Sequence, residues 1–221
     1  MSRIQAVIFD MDGVLIDAKE WHYEALNLAL AHFGQTISRA DHLERFDGLP
    51  TARKLEMLSR ERGLAASLHR EINQLKQRYT LDMVQTHCRP LRCHQLALAR
   101  LGHEGYRVGV ASNAVPESIS AMLQKARLDH LVEFTLSNKD VSKPKPDPEI
   151  YHAAALHAGV APEECVVVED SHYGIEAAMR AGTHVLRVDT VHDVTYERIR
   201  AFIEAVESVP AFESKRTRRA A

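Results

Sequence analysis

The run Ile4-Gln5-Ala6-Val7-Ile8-Phe9-Asp10-Met11-Asp12-Gly13-Val14 constrains this chain more than any other. A strand-like apolar stretch carries two carboxylates to its C-terminal end, and a glycine then turns the backbone. Side chains alternate faces along a strand, so Asp10 and Asp12 stand on one face about 6.5 Å apart. Two acids that close repel each other unless a cation or a proton lies between them. Taken alone, the pair favours chemistry but could also form a turn ahead of Gly13.

Three later segments favour chemistry over a turn. Val108-Gly109-Val110-Ala111-Ser112-Asn113 is a second short apolar run, ending in a hydroxyl and an amide. Val141-Ser142-Lys143-Pro144-Lys145-Pro146-Asp147-Pro148-Glu149-Ile150-Tyr151 places lysines in a stiff, proline-ruled loop before a helix. Cys165-Val166-Val167-Val168-Glu169-Asp170-Ser171 is a buried-type strand that delivers two more acids. Open parallel sheets bind ligands beyond the carboxyl ends of their strands, which would bring all four segments to one crevice.

Phosphoryl transfer asks an enzyme chiefly to position groups and neutralise charge. An aspartate nucleophile is ionised at neutral pH without help, but an anionic phosphate repels it. Magnesium removes that repulsion and prefers hard oxygen ligands. Asp10 as nucleophile, the Asp12 carbonyl and Asp170, with Glu169 close behind, would hold Mg2+. Ser112, Asn113 and Lys145 would bind the phosphate oxygens. Asp12 would protonate the leaving alkoxide and then activate water.

The chain resembles the haloacid dehalogenase-like hydrolases, in the branch that holds phosphoglycolate phosphatases and β-phosphoglucomutase. The resemblance rests on Asp10-Met11-Asp12-Gly13-Val14, Ser112, Lys145-Pro146-x-Pro148 and Glu169-Asp170-Ser171-x-x-Gly174-Ile175, in the family's order and approximate spacing. It implies the same roles for these residues. It also implies an α/β fold, with a Rossmann-like parallel sheet and an inserted all-helical cap. In the family pattern the lysine precedes Pro-x-Pro and stands six residues before an aromatic. Lys145, with Tyr151 following, meets both conditions, whereas Lys143 meets only the first.

Periodicity places the cap. From about Ala18 to Cys88 the chain reads as successive helices, with Trp21, Ala25, Leu28, Ala29 and Phe33 at helical spacing. Leu55, Met57 and Leu58, then Ile72, Leu75, Tyr79 and Met83, continue the pattern. Gly34, Gly48-Leu49-Pro50-Thr51 and Gly63 separate the helices. The expected division is a core over 1–17 and 89–208, a cap over 18–88 and a disordered tail over 209–221. Core strands are expected near 107–111, 132–136, 165–168 and 184–188. Asp147 and Pro148 are expected as N-cap and first helical residue, and Ser171 as the cap of the helix through Ala181.

Composition narrows the class. Of 221 residues, 45% are hydrophobic and 26% charged, as in an ordinary globular protein. A net charge of −2 gives no electrostatic case for nucleic acid or an anionic membrane. No apolar run approaches the ~20 residues of a membrane span, and the N-terminus runs into a strand without a signal-peptide pattern. Three cysteines suggest a reduced, cytoplasmic protein. The expected partner is a small phosphorylated metabolite, and the expected state a monomer.

Several polar residues remain as candidates. His22 lies near the start of the first cap helix, where mutases of the family have a histidine facing the active site. Thr51, Arg53, Lys76 and Arg78 are cap donors that could read the leaving group. The His87-Cys88 and Cys93-His94 pairs suggest zinc, but their spacing departs from that of structural zinc sites. β-Phosphoglucomutase resembles the chain in length and core motifs. It holds a second phosphate with a cap arginine and a lysine-asparagine pair after the serine. Here Thr51 stands in the arginine's place, and Asn113-Ala114-Val115-Pro116 follows Ser112 without a lysine. Hydrolysis is therefore expected over mutase activity. A receiver domain would be about half this length and lack the insert. A non-catalytic binding protein on this fold would be expected to lose one of Asp10, Asp12, Lys145 or Asp170.

Overall fold

The computed structural model describes residues 3–46 and 48–208. In chain order these form β1 (Ala6–Phe9), α1 (Lys19–Ala31) and α2 (Arg39–Asp41), which runs into a π-helical turn over His42–Phe46. Next come α3 (Thr51–Arg62), α4 (His69–His87), α5 (Arg92–His103), β2 (Arg107–Ala111) and α6 (Pro116–Ala126). They are followed by β3 (Phe134–Leu136), α7 (Glu149–Ala158), β4 (Cys165–Glu169), α8 (His172–Arg180), β5 (His184–Arg187) and α9 (Tyr196–Ser208).

The strands make a parallel sheet in the order β3-β2-β1-β4-β5. Every residue of β1 is buried, because helices cover both faces of the sheet. Alternation then divides the strand side chains between two layers. Val7, Phe9, Val108, Val110, Val166 and Val168 pack with α5, α6 and α9. Ala6, Ile8, Ala111, Cys165 and Val167 pack with α7 and α8. Chain order reverses around β1, whose Phe9 stands level with Val110 of β2 and Val168 of β4. Asp10, Ser112 and Glu169 therefore emerge together at the carboxyl edge, at the switch point where such sheets bind ligands.

The helices between β1 and α5 bury a cluster of their own, including Leu26, Leu30, Phe46, Leu55, Leu58 and Ile72. At the two ends of this insert, Ala18, Val84 and Cys88 join the core of the main sheet. The α/β fold with inserted helices matches the sequence expectation. Among the described residues no helix is long and apolar enough to cross a membrane.

Local differences have local causes. Leu28 is 46% exposed, because Leu26, Ala29 and Leu30 take the inward stripe of α1. The strand expected from 132 begins at Phe134, since the chain first makes a 3-10 turn over Asp129–Leu131. Helix α7 starts at Glu149 rather than Pro148, yet Asp147 Oδ1 accepts from Glu149 N–H as an N-cap would. Ser171 caps α8 by accepting from Gly174 N–H. The expected disordered tail, 209–221, lies outside the described residues.

Candidate active site

Lys145 is the hub of the carboxyl edge. Its ammonium donates to Asp10 Oδ1 at 2.6 Å, Glu169 Oε1 at 2.8 Å and the Ala111 carbonyl at 2.9 Å. Burial opposes its charge, but Asp10 and Glu169 outweigh that, and its pKa is pushed up to about 12. Its Nζ also lies 4.8 Å from the centre of the Tyr151 ring. The other lysine of the loop, Lys143, has a side chain 72% exposed and reaches only Asp147. Asn113 Oδ1 accepts from Lys145 N–H, tying the lysine loop to the end of β2. Ser112, also buried, accepts from Ala114 N–H.

Glu169 is fully buried and fully engaged. Besides Lys145, it accepts from the Tyr151 hydroxyl, from the Asp170 and Ser171 amides and from the Ser171 hydroxyl. Gly174 makes this possible, since a Cβ there would sit 1.7 Å from Glu169 Oε1. Gly13 has a similar reason to be glycine. Its φ is +90°, and a Cβ would meet Asp170 Oδ2 at 2.2 Å. Burial raises the Asp10 pKa well above its usual value, and Glu169, Asp12 and Asp170 add to this against Lys145. Burial also raises that of Asp170, although Lys19 Nζ stands 2.5 Å from its Oδ2.

The charge pattern fits a hard cation. Oxygens of Asp10, Glu169 and Asp170 lie within 4.8 Å of one another. Asp170 Oδ1 is buried with no hydrogen-bond donor among the described residues. An all-oxygen set with a free carboxylate oxygen suits magnesium rather than a soft metal. Asp10 and Asp170 would be its ligands. Glu169, expected among them, already serves Lys145 with one oxygen and the start of α8 with the other.

Above the sheet edge lies a cleft of about 230 Å³. Asp10, Asp12 and Asn113 form its core side, and the insert supplies His22, Thr51, Lys54, Asn73 and Lys76. His22 Nε2 is 3.0 Å from Asp12 Oδ1, and Lys76 Nζ is 3.2 Å from His22 Nδ1. Burial would raise the Asp12 pKa, but His22, with help from Lys76 and Lys145, holds it below the usual range. Burial lowers that of His22 despite Asp12. Lys76 falls to about 8, through burial above all and through Lys54, against Asp12.

Three sequence candidates do not meet the site. Arg78 is exposed on α4 and is not among the cleft residues. Arg53 is among neither the cleft residues nor the buried ones, because α3 turns Lys54, Leu55 and Leu58 inward and leaves Arg53 to pair with Glu56. The His87-Cys88 and Cys93-His94 pairs form no metal cluster among the described residues. Cys88 packs in the core, and His94 meets the Val191 carbonyl at 2.6 Å. Sequence reading missed Lys54, Lys19 and Asn73. Counting helical phase from Leu55 and Leu58 would have found Lys54, four residues before Leu58 and three after Thr51.

The family model described as haloacid dehalogenase-like hydrolase matches residues 7–188. The chain belongs to this family. It is a HAD-type phosphomonoester hydrolase. It is 30% identical to the fructose-1-phosphate phosphatase YqaB of Escherichia coli, over 84% of this chain and 97% of that protein. It is 26% identical to the β-phosphoglucomutase of Bacillus subtilis, over 84% of this chain and 83% of that one. A crystal structure of β-phosphoglucomutase from Clostridium difficile superposes with a TM-score of 0.79 at 21% identity, covering 91% of this chain and 98% of that one. That last likeness speaks for the shared fold.

Proposed function

We propose that the protein is a magnesium-dependent phosphatase that hydrolyses a small phosphorylated sugar, polyol or acid through an aspartyl phosphate on Asp10. The observation that carries the reading is the buried Lys145 bridge between Asp10 and Glu169, behind the cleft that Asp10 lines. It fixes the Asp10 carboxylate and leaves a cation beside the place where charge develops.

Asp10 attacks phosphorus in line with the leaving oxygen. Ser112 and Asn113 hold the phosphoryl oxygens, Lys145 balances their charge from beside Asp10, and Glu169 keeps Lys145 in place. Asp12 sits beside the nucleophile with His22 at 3.0 Å, so a proton for the leaving alkoxide is within reach of the pair. The same carboxylate then takes a proton from the water that attacks the phosphoenzyme. Magnesium on Asp10, the Asp12 carbonyl and Asp170 would neutralise repulsion between phosphate and carboxylates. The insert covers the cleft and meets the leaving group. Unpaired cysteines support a reducing compartment.

The test is phosphate release from a panel of phosphorylated metabolites with magnesium and with chelator. Release that is abolished by chelator and restored by magnesium supports the reading. No release from any member, or full release in chelator, contradicts it. A phosphomutase reading has one observation in its favour, since Lys54 and Lys76 are cleft cations. It predicts isomerised sugar phosphate in place of free phosphate.

A further inference from the structure

Helices α3 and α4 each turn one lysine into the cleft. Lys54 is 7% exposed and Lys76 8%. Burying an ammonium group is costly, and placing two on the same wall adds mutual repulsion. Lys76 feels that repulsion, and Lys54 depresses His22 as well. Thr51 and Asn73 join them, so the wall presents two ammonium groups, an amide and a hydroxyl. An anion entering the cleft meets both ammonium groups together with these neutral donors.

The wall has a definite place relative to the reaction. Lys76 touches His22, which touches Asp12 beside the nucleophile. A phosphate ester with its phosphorus at Asp10 must point its alcohol half across the cleft toward the insert. We infer that Lys54 and Lys76 form a subsite for a second anionic group, a carboxylate or a second phosphate, on the alcohol half of the substrate. This deepens the phosphatase reading and rests on it. It also supplies the cations that Thr51 and the stretch after Ser112 lack.

The test compares matched esters with magnesium: sorbitol 6-phosphate, its acid counterpart 6-phosphogluconate, and fructose 1,6-bisphosphate. The quantity read is the kcat/KM of each charged ester divided by that of the neutral one. At least one charged ester should be favoured about 10-fold or more, as a charge-assisted contact allows. The favoured ester identifies the anion as carboxylate or phosphate. Lys54→Met and Lys76→Met should each reduce that ratio about 10-fold. Melting curves verify that the variants fold. Arg53→Met, on the outer face of α3, should leave the ratio unchanged, whereas an equal fall there would mean a diffuse field and overturn the subsite. Ratios near one in the wild type, or ratios that survive both lysine changes, would also overturn it. Calorimetric binding of the same esters gives the same ratio if none is hydrolysed. The phosphatase reading can then fail separately from the subsite.

Discussion

Replacing Gly174 with alanine should destabilise the protein, although alanine is the better helix former. The helix interior favours alanine over glycine by about 1 kcal/mol. Against that, the new Cβ would lie 1.7 Å from Glu169 Oε1 and 2.0 Å from its Cδ. The carboxylate would have to retreat by roughly 1.5 Å to reach ordinary contact, which is more than a hydrogen bond tolerates. It has nowhere to go. Glu169 is fully buried and held by Lys145, Tyr151, Ser171 and the Asp170 amide. Losing two hydrogen bonds to a charged group costs about 3–6 kcal/mol. The net loss is about 2–5 kcal/mol, or a Tm lower by roughly 4–20 °C for a domain of this size. Gly102, in α5, stands in open space, where an added Cβ would meet no atom within 4 Å. Gly102→Ala should therefore raise stability by about 0.5–1 kcal/mol. Thermal and urea melts of both variants measure the contrast. A Gly174→Ala protein as stable as the wild type would refute the packing of Glu169 against α8.

Asp10→Asn should abolish phosphate release while melting close to the wild type, and turnover without deamidation back to aspartate would count against the nucleophile. Chelation should stop catalysis and magnesium restore it, as a phosphate-release assay reads directly. Lys76 has a pKa of about 8 when folded against an ordinary 10.5, so the unfolded chain binds more protons between those values. Relative to Lys76→Met, the wild type should gain about 3 kcal/mol as pH rises through that window, with the full penalty present below it. Urea melts at pH 7.5 and 10.5 would show it, and parallel stability profiles would contradict the burial of that charge. Arg53→Ala should change kcat/KM less than about 2-fold, whereas Lys76→Ala should lower it about 10-fold or more on the natural substrate.

The core site was readable because strand ends and loops deliver its residues in a fixed order. Asp10 and Asp12 follow an uninterrupted apolar strand, and Glu169-Asp170 follows another, so alternation and parallel pairing bring them together. Lys145 was distinguishable from Lys143 only through the family pattern, and its hydrogen bonds show what the pattern serves. The insert was harder. Arg53 and Lys54 are adjacent in the strongly polar helix Thr51–Arg62, and a rotation of about 100° decides which of them meets the cleft. Leu55 and Leu58 carried the phase, but their signal is short. The π-helical turn at His42–Phe46 had no signature, because it follows from packing Phe46 into the insert rather than from local preference. Lys19 was not singled out either. Its reach to Asp170 depends on Gly13 letting the chain pass close by.

The central claim is that Asp10 carries the phosphoryl group. Its most direct test is acid quenching during turnover with magnesium, borohydride reduction of the trapped acyl phosphate, and peptide mapping by mass spectrometry. Residue 10 should be recovered as homoserine, and that product should disappear in Asp10→Asn. Phosphate release that continues with no reduced residue at position 10, or with the label on another side chain, would contradict the claim.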